Sequence, residues 1–191
     1  MNLSKLYFPL IVLAFTILSC SCNQPVPRRP VTVRTGTFMK ESAQRSKEIL
    51  TYEEGQIKKI IANDSIHEYL MSSNGYWYYY NTKDTTQNYA PKEDDLVLMT
   101  YNLRTLENDT IYSFDEIGQR EFIIDKEDYF PGLRTGIKLL HKGESATFFF
   151  PSPLAYGFYG DKDKIIANQP LISTIKLIDI LKISKDSLLN E

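Results

Sequence analysis

Hydrophobic spacing changes character along this chain. Between residues 37 and 62, Phe38, Ile49, Ile57, Ile60 and Ile61 fall loosely on one face with Glu and Lys between them, which predicts an amphipathic helix. Gly55 weakens its middle by about 1 kcal/mol relative to Ala. Asn63-Asp64-Ser65 offers an end and a new N-cap, and 66–71 reads as a short second helix. The apolar stripe is thin. It serves packing on a domain first, and a dimer- or partner-binding face second.

Beyond Asn74-Gly75 the pattern turns to β. Tyr76-Trp77-Tyr78-Tyr79-Tyr80 is strongly β-prone. Strands are predicted at 96–103, 110–114, 121–124 and 144–150, and alternation at 173–183 (Ile175, Leu177, Ile178, Ile180) predicts the closing strand. Residues 131–140 (PGLRTGIKLL) have helical spacing, and 151–170 reads as a long loop. Short strands with one internal helix mean an α+β domain with an antiparallel sheet.

The first 22 residues do not read as fold. Lys5 precedes an uncharged apolar run, Leu6 to Leu18, that is shorter than the roughly 20 residues needed to span a bilayer. Ile17-Leu18-Ser19-Cys20 follows, which resembles a bacterial lipobox with Cys20 as lipid acceptor. Cys22 is the rival acceptor, with Ser19 rather than an aliphatic residue three positions before it. An acylated cysteine would tether the body, since each buried CH₂ adds roughly 0.8 kcal/mol of membrane affinity. Residues 23–36, with three prolines, three arginines and one glycine, read as an extended spacer. The organisation expected is a signal peptide at 1–19, a lipidated spacer at 20–36, a helical appendage at 37–72 and the α+β domain at 75–185. The expected location is the cell envelope.

Composition narrows the chemistry. With 22 Lys+Arg against 24 Asp+Glu the formal charge is −2, which gives no electrostatic footprint for nucleic acid. Both cysteines lie at the N-terminus, so the domain has no thiol nucleophile, disulfide or cysteine zinc site, and His67 and His141 are far apart in sequence. No G-x-S-x-G, P-loop or H-E-x-x-H pattern occurs. Asp161-Lys162-Asp163-Lys164 lacks the spacing of a calcium loop and reads as a solvated loop tip. No cofactor and no metal are expected. With 13 Tyr and 10 Phe, the chain suits binding, or chemistry needing only a shaped apolar cavity. Prolyl isomerisation is such a reaction. Its barrier of about 20 kcal/mol arises from amide resonance. An apolar pocket disfavours the planar, dipolar ground state relative to the twisted one, and a single donor can hold the reoriented carbonyl.

Motif order from residue 96 carries a resemblance. Tyr101, Asn108-Asp109, Tyr112, Phe122, Tyr129-Phe130-Pro131-Gly132-Leu133, Lys142-Gly143-Glu144, Ala155-Tyr156-Gly157 and Ser173-Thr174-Ile175 occur in sequence. The set resembles the FKBP-type peptidyl-prolyl cis-trans isomerases over about 90 residues. The Arg28-Arg29-Pro30-Val31 spacer, Gly75 to Thr85 and Tyr156-Gly157-Phe158-Tyr159-Gly160 extend it to the gliding-motility-associated FKBP-type lipoproteins of Bacteroidetes. The resemblance implies a bent antiparallel sheet wrapped around one short helix. It implies a pocket with Leu133 as floor, Tyr101, Tyr112, Phe122 and Leu177 as walls, and Tyr129 and Phe130 at the helix start. There the Phe130 backbone N–H would be one donor to the substrate carbonyl and the Tyr156 hydroxyl the second. Proline-containing polypeptides would be the clients. In this group Ser21-Cys22-Asn23-Gln24 lacks the acidic run expected for surface export, so a periplasm-facing body on the outer membrane is expected.

The chain departs from the family in three places. Ser113 replaces the usual Asp, Leu133 replaces Trp, and Gln169-Pro170-Leu171 replaces Ile-Pro-Pro. The first departure removes a carboxylate and the second softens the floor, so macrolide binding is affected more than isomerisation, which needs no proton transfer. Two alternatives to the tethered isomerase stand: an FKBP-like binding or chaperone module with little turnover, and a structural lipoprotein of a motility or secretion assembly.

Overall fold

A computed structural model describes residues 35–86 and 89–182. The signal segment, the spacer and Cys20 lie outside these residues. The chain divides into two compact units, 1–40 and 41–191, and of the first only the start of one helix is described. That helix, α1, runs Thr35–Asn63. The strands are β1 (Leu70–Met71), β2 (Trp77–Thr82), β3 (Leu96–Tyr101), β4 (Leu103–Arg104), β5 (Thr110–Tyr112), β6 (Arg120–Ile123), β7 (Ser145–Phe150) and β8 (Leu171–Lys182). Two short helices, α2 (Phe114–Ile117) and α3 (Pro131–Gly136), complete the set, with 3₁₀ turns at 137–139, 152–154 and 157–159.

One antiparallel sheet runs in the order β1-β2-β7-β8-β3-β6, with β4 pairing β5 and β8. Its length is set by β8, which pairs with β7 at one end of its register and with β3 at the other. The β3–β8 ladder breaks register twice, between Leu96 and Val97 and between Leu98 and Met99. Such breaks add local bend and twist to a strand. The expected bent antiparallel sheet around one short helix is therefore present. The match to sequence expectation is less close in two places. Residues 66–71 form no helix. Asp64 Oδ1 accepts from the N–H of Ile66 at 2.8 Å, which makes a turn, and Leu70-Met71 then pair with Trp77-Tyr78. The expected single strand at 96–103 is divided at Asn102, whose Oδ1 accepts from Thr174 N at 2.8 Å.

The core forms where β7 meets α3. Phe148 and Phe150 stack at 5.5 Å, and Tyr76 closes on Phe150 edge-on at 5.1 Å. Gly132 and Gly136, one helical turn apart, let the backbone of α3 settle on these rings. A Cβ at Gly132 would lie 2.5 Å from the Phe150 ring and 2.8 Å from the Leu154 carbonyl oxygen. A second cluster lies on the other face of the sheet, where Ile57 of α1 is buried with Trp77, Phe149 and Ile172. Among the described residues no helix is long and apolar enough to cross a membrane, and no group of His, Cys, Asp or Glu could hold a metal ion.

Candidate active site

Chain geometry at three segments brings tyrosines to one cleft. Tyr101 ends β3 and Tyr112 ends β5. Tyr156 follows the 152–154 turn and caps the next one at 157–159. Together with Leu103, Ile117 and Asp161 they line a cleft of about 240 Å³, with Glu116 and Arg120 also on its lining. The other aromatic site residues pack behind this lining. Phe130 lies 5.3 Å from the Tyr156 ring and 6.3 Å from Tyr101. Tyr129 meets Tyr101 at 6.4 Å and Phe122 at 4.8 Å, both edge-on. Phe122, Leu133 and Leu177 have no exposed surface and belong to the main core cluster.

The helix start is built by Pro131. Proline at the first helical position has no N–H to leave unsatisfied, and it pushes the preceding residue into extended backbone. Phe130 accordingly has φ −61° and ψ 148°. Its carbonyl accepts from Leu133 N at 3.1 Å. Its own N–H enters no hydrogen bond among the described residues.

Two tyrosine hydroxyls in the cleft are likewise uncommitted. Neither the Tyr101 nor the Tyr156 hydroxyl has a hydrogen-bond partner among the described residues, and neither is sealed in the interior. Both are held protonated. Burial raises the Tyr101 hydroxyl above its ordinary range, with Tyr156 and Tyr129 adding to it and Arg120 opposing. Burial also raises Tyr156, helped by the negative charge of Asp161. The site therefore presents O–H donors over an aromatic wall, with no nucleophile.

A carboxylate at this site comes from the 161–164 segment, which the sequence marks only as a loop tip. Ser113 Oγ accepts from Glu116 N at 3.1 Å and so serves as the N-cap of α2. Asp161 enters the cleft instead. The Tyr112 hydroxyl is shared between Asp161 Oδ2 at 2.6 Å and Asp163 Oδ2 at 3.1 Å. Lys164 pairs with Glu116 and lies 4.6 Å from the Tyr112 ring centre. The 161–164 segment is solvated at Lys162, Asp163 and Lys164, as expected, and is also tied to β5 and α2. Asp161 Oδ1 also accepts from Asp163 N and Ile165 N, at 2.9 and 2.8 Å. Burial alone would raise the Asp161 carboxyl, but these hydrogen bonds outweigh it and hold it below the usual range. The alternation Asp-Lys-Asp-Lys was the available signal. It could not name the partner, because Tyr112 lies 49 residues away.

Residues 87–178, spanning this cleft, match the sequence profile of the FKBP-type peptidyl-prolyl cis-trans isomerase family. This region is similar to FKBP domains. A probable FKBP-type peptidyl-prolyl cis-trans isomerase FkpA of Neisseria meningitidis serogroup B is 33% identical over 90 residues, which is 47% of this chain and 33% of that relative. The match thus spans about a third of the relative's length. Among solved structures, FkpA from Escherichia coli has a TM-score of 0.55 at 20% identity, covering 94% of this chain and 73% of its own. A peptidyl-prolyl cis-trans isomerase from Pseudomonas syringae pv. tomato has a TM-score of 0.57 at 19% identity, over 72% of this chain and 96% of its own. These structural likenesses show a shared fold. A larger groove of about 580 Å³ lies away from this cleft, between Ile49, Tyr52 and Ile60 of α1 and Leu106 and Pro170 of the body, and contains none of the expected site residues.

Proposed function

We propose that the chain is a peptidyl-prolyl cis-trans isomerase, tethered by a lipid on Cys20, that acts on proline-containing segments of envelope or exported proteins. The observation that carries the catalytic reading is the free Tyr156 hydroxyl opening over Phe130 in an aromatic cleft. A prolyl amide entering this cleft loses water from its dipolar ground state. Rotation about the C–N bond turns its carbonyl toward the donors. Tyr156 supplies one hydrogen bond and the Phe130 N–H a second, with Tyr101 a further hydroxyl in reach of the same cleft. Tyr112 supplies cleft wall, while Tyr129, Phe122, Leu133 and Leu177 pack behind the lining as support. No proton is transferred, so the loss of a carboxylate at Ser113 leaves the reaction intact. The tether rests on the lipobox-like Ile17-Leu18-Ser19-Cys20, and a role in gliding motility rests on the resemblance of the spacer and of the 75–85 and 156–160 segments to the Bacteroidetes lipoproteins.

A proline-limited refolding assay tests the activity. Acceleration that saturates with substrate is expected, and wild-type rates equal to background would leave a binding module. Membrane fractionation tests the tether. Cys20→Ser should release the protein while Cys22→Ser should not, and the reverse result would move the lipid to Cys22.

A further inference from the structure

Alternation along β6 sends Arg120 to the inner face of the sheet. β6 pairs with β3 so that Val97 lies opposite Phe122 and Met99 opposite Arg120. Side chains two apart on a strand share a face. Phe122 is fully buried, as are Val97 and Met99. Arg120 therefore stands on the same side, at the first residue of the strand, where that side opens into the cleft. Inward strand positions are ordinarily apolar. An inward charge on an edge strand can serve to discourage pairing with another chain, and β6 is the last strand of the sheet order.

The charges of the cleft give Arg120 a second role. Of the three charged side chains on the lining, two are committed. Glu116 pairs with Lys164. Asp161 accepts from the Tyr112 hydroxyl and from the N–H groups of Asp163 and Ile165. The Arg120 guanidinium enters no hydrogen bond, ion pair or ring contact among the described residues. The charges are also sorted in space. Arg120 bears on the hydroxyls of Tyr101 and Tyr129, whereas Asp161 bears on those of Tyr112 and Tyr156. One side of the cleft is thus cationic and the other anionic.

We propose that Arg120 is a specificity-determining residue that pairs with the carboxylate of an Asp or Glu on one side of the prolyl bond. The proposal rests on the isomerase reading of the cleft and names its substrate class, segments acidic on one side of the proline. A guanidinium donates two parallel N–H groups to a carboxylate, a fork that an ammonium lacks. An acidic residue on the opposite side would meet Asp161 and is disfavoured. Arg120 is exposed, so water screens the pair and the preference is several-fold rather than absolute.

Capped tetrapeptides turned over by the full chain test this, with rates read by NMR exchange. One series is Ala-Xaa-Pro-Phe and the other Ala-Phe-Pro-Xaa, with Xaa as Glu, Gln or Lys. Capping leaves the varied side chain as the only charge. In one series kcat/KM should rank Glu over Lys by about threefold to fivefold, and in the other the ranking should be flat or reversed. Each variant is read as its own Glu-to-Lys ratio, so a general loss of activity cancels. Arg120→Gln should bring the favoured ratio to about one, Arg120→Glu should invert it, and Arg120→Lys should keep part of it. Salt should flatten the wild-type ratio, since at ~1 M the screening length is about 3 Å. A wild-type ratio of one in both series, the same preference on both sides of the proline, or a ratio that Arg120→Gln leaves unchanged would overturn the proposal. An Arg120→Gln protein that self-associates in sedimentation with its ratio intact would assign Arg120 to edge protection alone. If wild type turns over none of the peptides, the isomerase reading falls, and the Glu-to-Lys ratio of Kd values from NMR titration of the same peptides still decides Arg120.

Discussion

Glu53 gives both its carboxylate oxygens to one residue, Ser152. The Ser152 N–H donates to Oε2 at 2.7 Å and its hydroxyl to Oε1 at 2.7 Å, in a site where both residues are buried. A carboxylate out of water needs its lone pairs satisfied, and this geometry satisfies one on each oxygen. Ser152 opens the turn that leads through Ala155 to Tyr156. The bond therefore ties α1, 99 residues away in sequence, to the segment that carries a proposed donor.

The first prediction follows from that bond. Glu53→Ala strands the Ser152 N–H and hydroxyl in the interior, at about 1–3 kcal/mol for the unpaired groups. A thermal melt should show a drop of several degrees, and Glu53→Gln, which keeps an acceptor, should lose less. Removing residues 37–62 should lower the melting temperature further, because it also strips Ile57 from Trp77, Phe149 and Ile172. A truncated protein melting with the full chain would show that these contacts contribute nothing.

A second prediction concerns the uncommitted hydroxyls. Tyr156→Phe keeps the ring beside Phe130 and removes one O–H. If that O–H meets the reoriented carbonyl, kcat/KM should fall several-fold, on the order of 1 kcal/mol, with the melting temperature unchanged. Phe130→Ala should cost more, since it opens the wall between Tyr101 and Phe150 as well. A Tyr156→Phe/Phe130→Ala enzyme as fast as wild type would remove the catalytic assignment. Tyr101→Phe decides whether the second hydroxyl shares the load: a loss equal to that of Tyr156→Phe assigns it as a donor.

Much of this domain was legible because it depends on neighbours in sequence. The β7 and β8 strands follow from β-prone runs and alternation, and α1 follows from its period. Residues 66–71 were misread because Asn63-Asp64-Ser65 looks the same whether a helix or a turn follows. What decided it is that Asp64 Oδ2 also takes the Tyr69 hydroxyl at 2.8 Å and meets the His67 ring at 2.7 Å, which pins a turn. The tyrosines of the cleft were readable through motif order. Asp161 and Glu53 were not, because each owes its role to a partner far along the chain, and a carboxylate in a polar run looks like any solvated charge.

The Tyr112–Asp161 link yields a pH prediction. The hydrogen bond to Asp161, then burial, holds the Tyr112 hydroxyl above its ordinary range near 10, and Asp161 sits below its ordinary value near 4. A raised tyrosine stabilises the fold fully below about pH 10, and that contribution is lost as pH rises beyond it. A depressed aspartate stabilises it above about pH 4, and that contribution is lost as pH falls through the folded value. Tyr112→Phe keeps the apolar wall and deletes the link. The gap between wild-type and variant melting temperatures should be widest from about pH 5 to 9 and close at both extremes. A gap constant from pH 3 to 11 would assign the difference to packing.

The glycines of α3 give the last prediction. Gly132→Ala puts a methyl 2.5 Å from the Phe150 ring and 2.8 Å from the Leu154 carbonyl oxygen, and the second obstacle is backbone that cannot rotate away. Gly136→Ala puts one 3.1 Å from the edge of the Phe148 ring, a contact that a tilt of tenths of an ångström relieves. Alanine favours helix over glycine by about 1 kcal/mol, which offsets the milder clash and not the harder one. Overpacking of this kind costs about 1–3 kcal/mol. Gly132→Ala should therefore lower the melting temperature clearly, while Gly136→Ala stays within a few degrees of wild type. Gly132→Ala also bears on the cleft, because lifting α3 from Phe150 displaces Phe130 at its N-terminus and Leu154 beside Tyr156. Tetrapeptide kcat/KM measured well below the melting transition should fall in Gly132→Ala and hold in Gly136→Ala. Equal effects of the two substitutions on stability and rate would mean that the contact of α3 with Phe150 and Leu154 does not set the position of the donors.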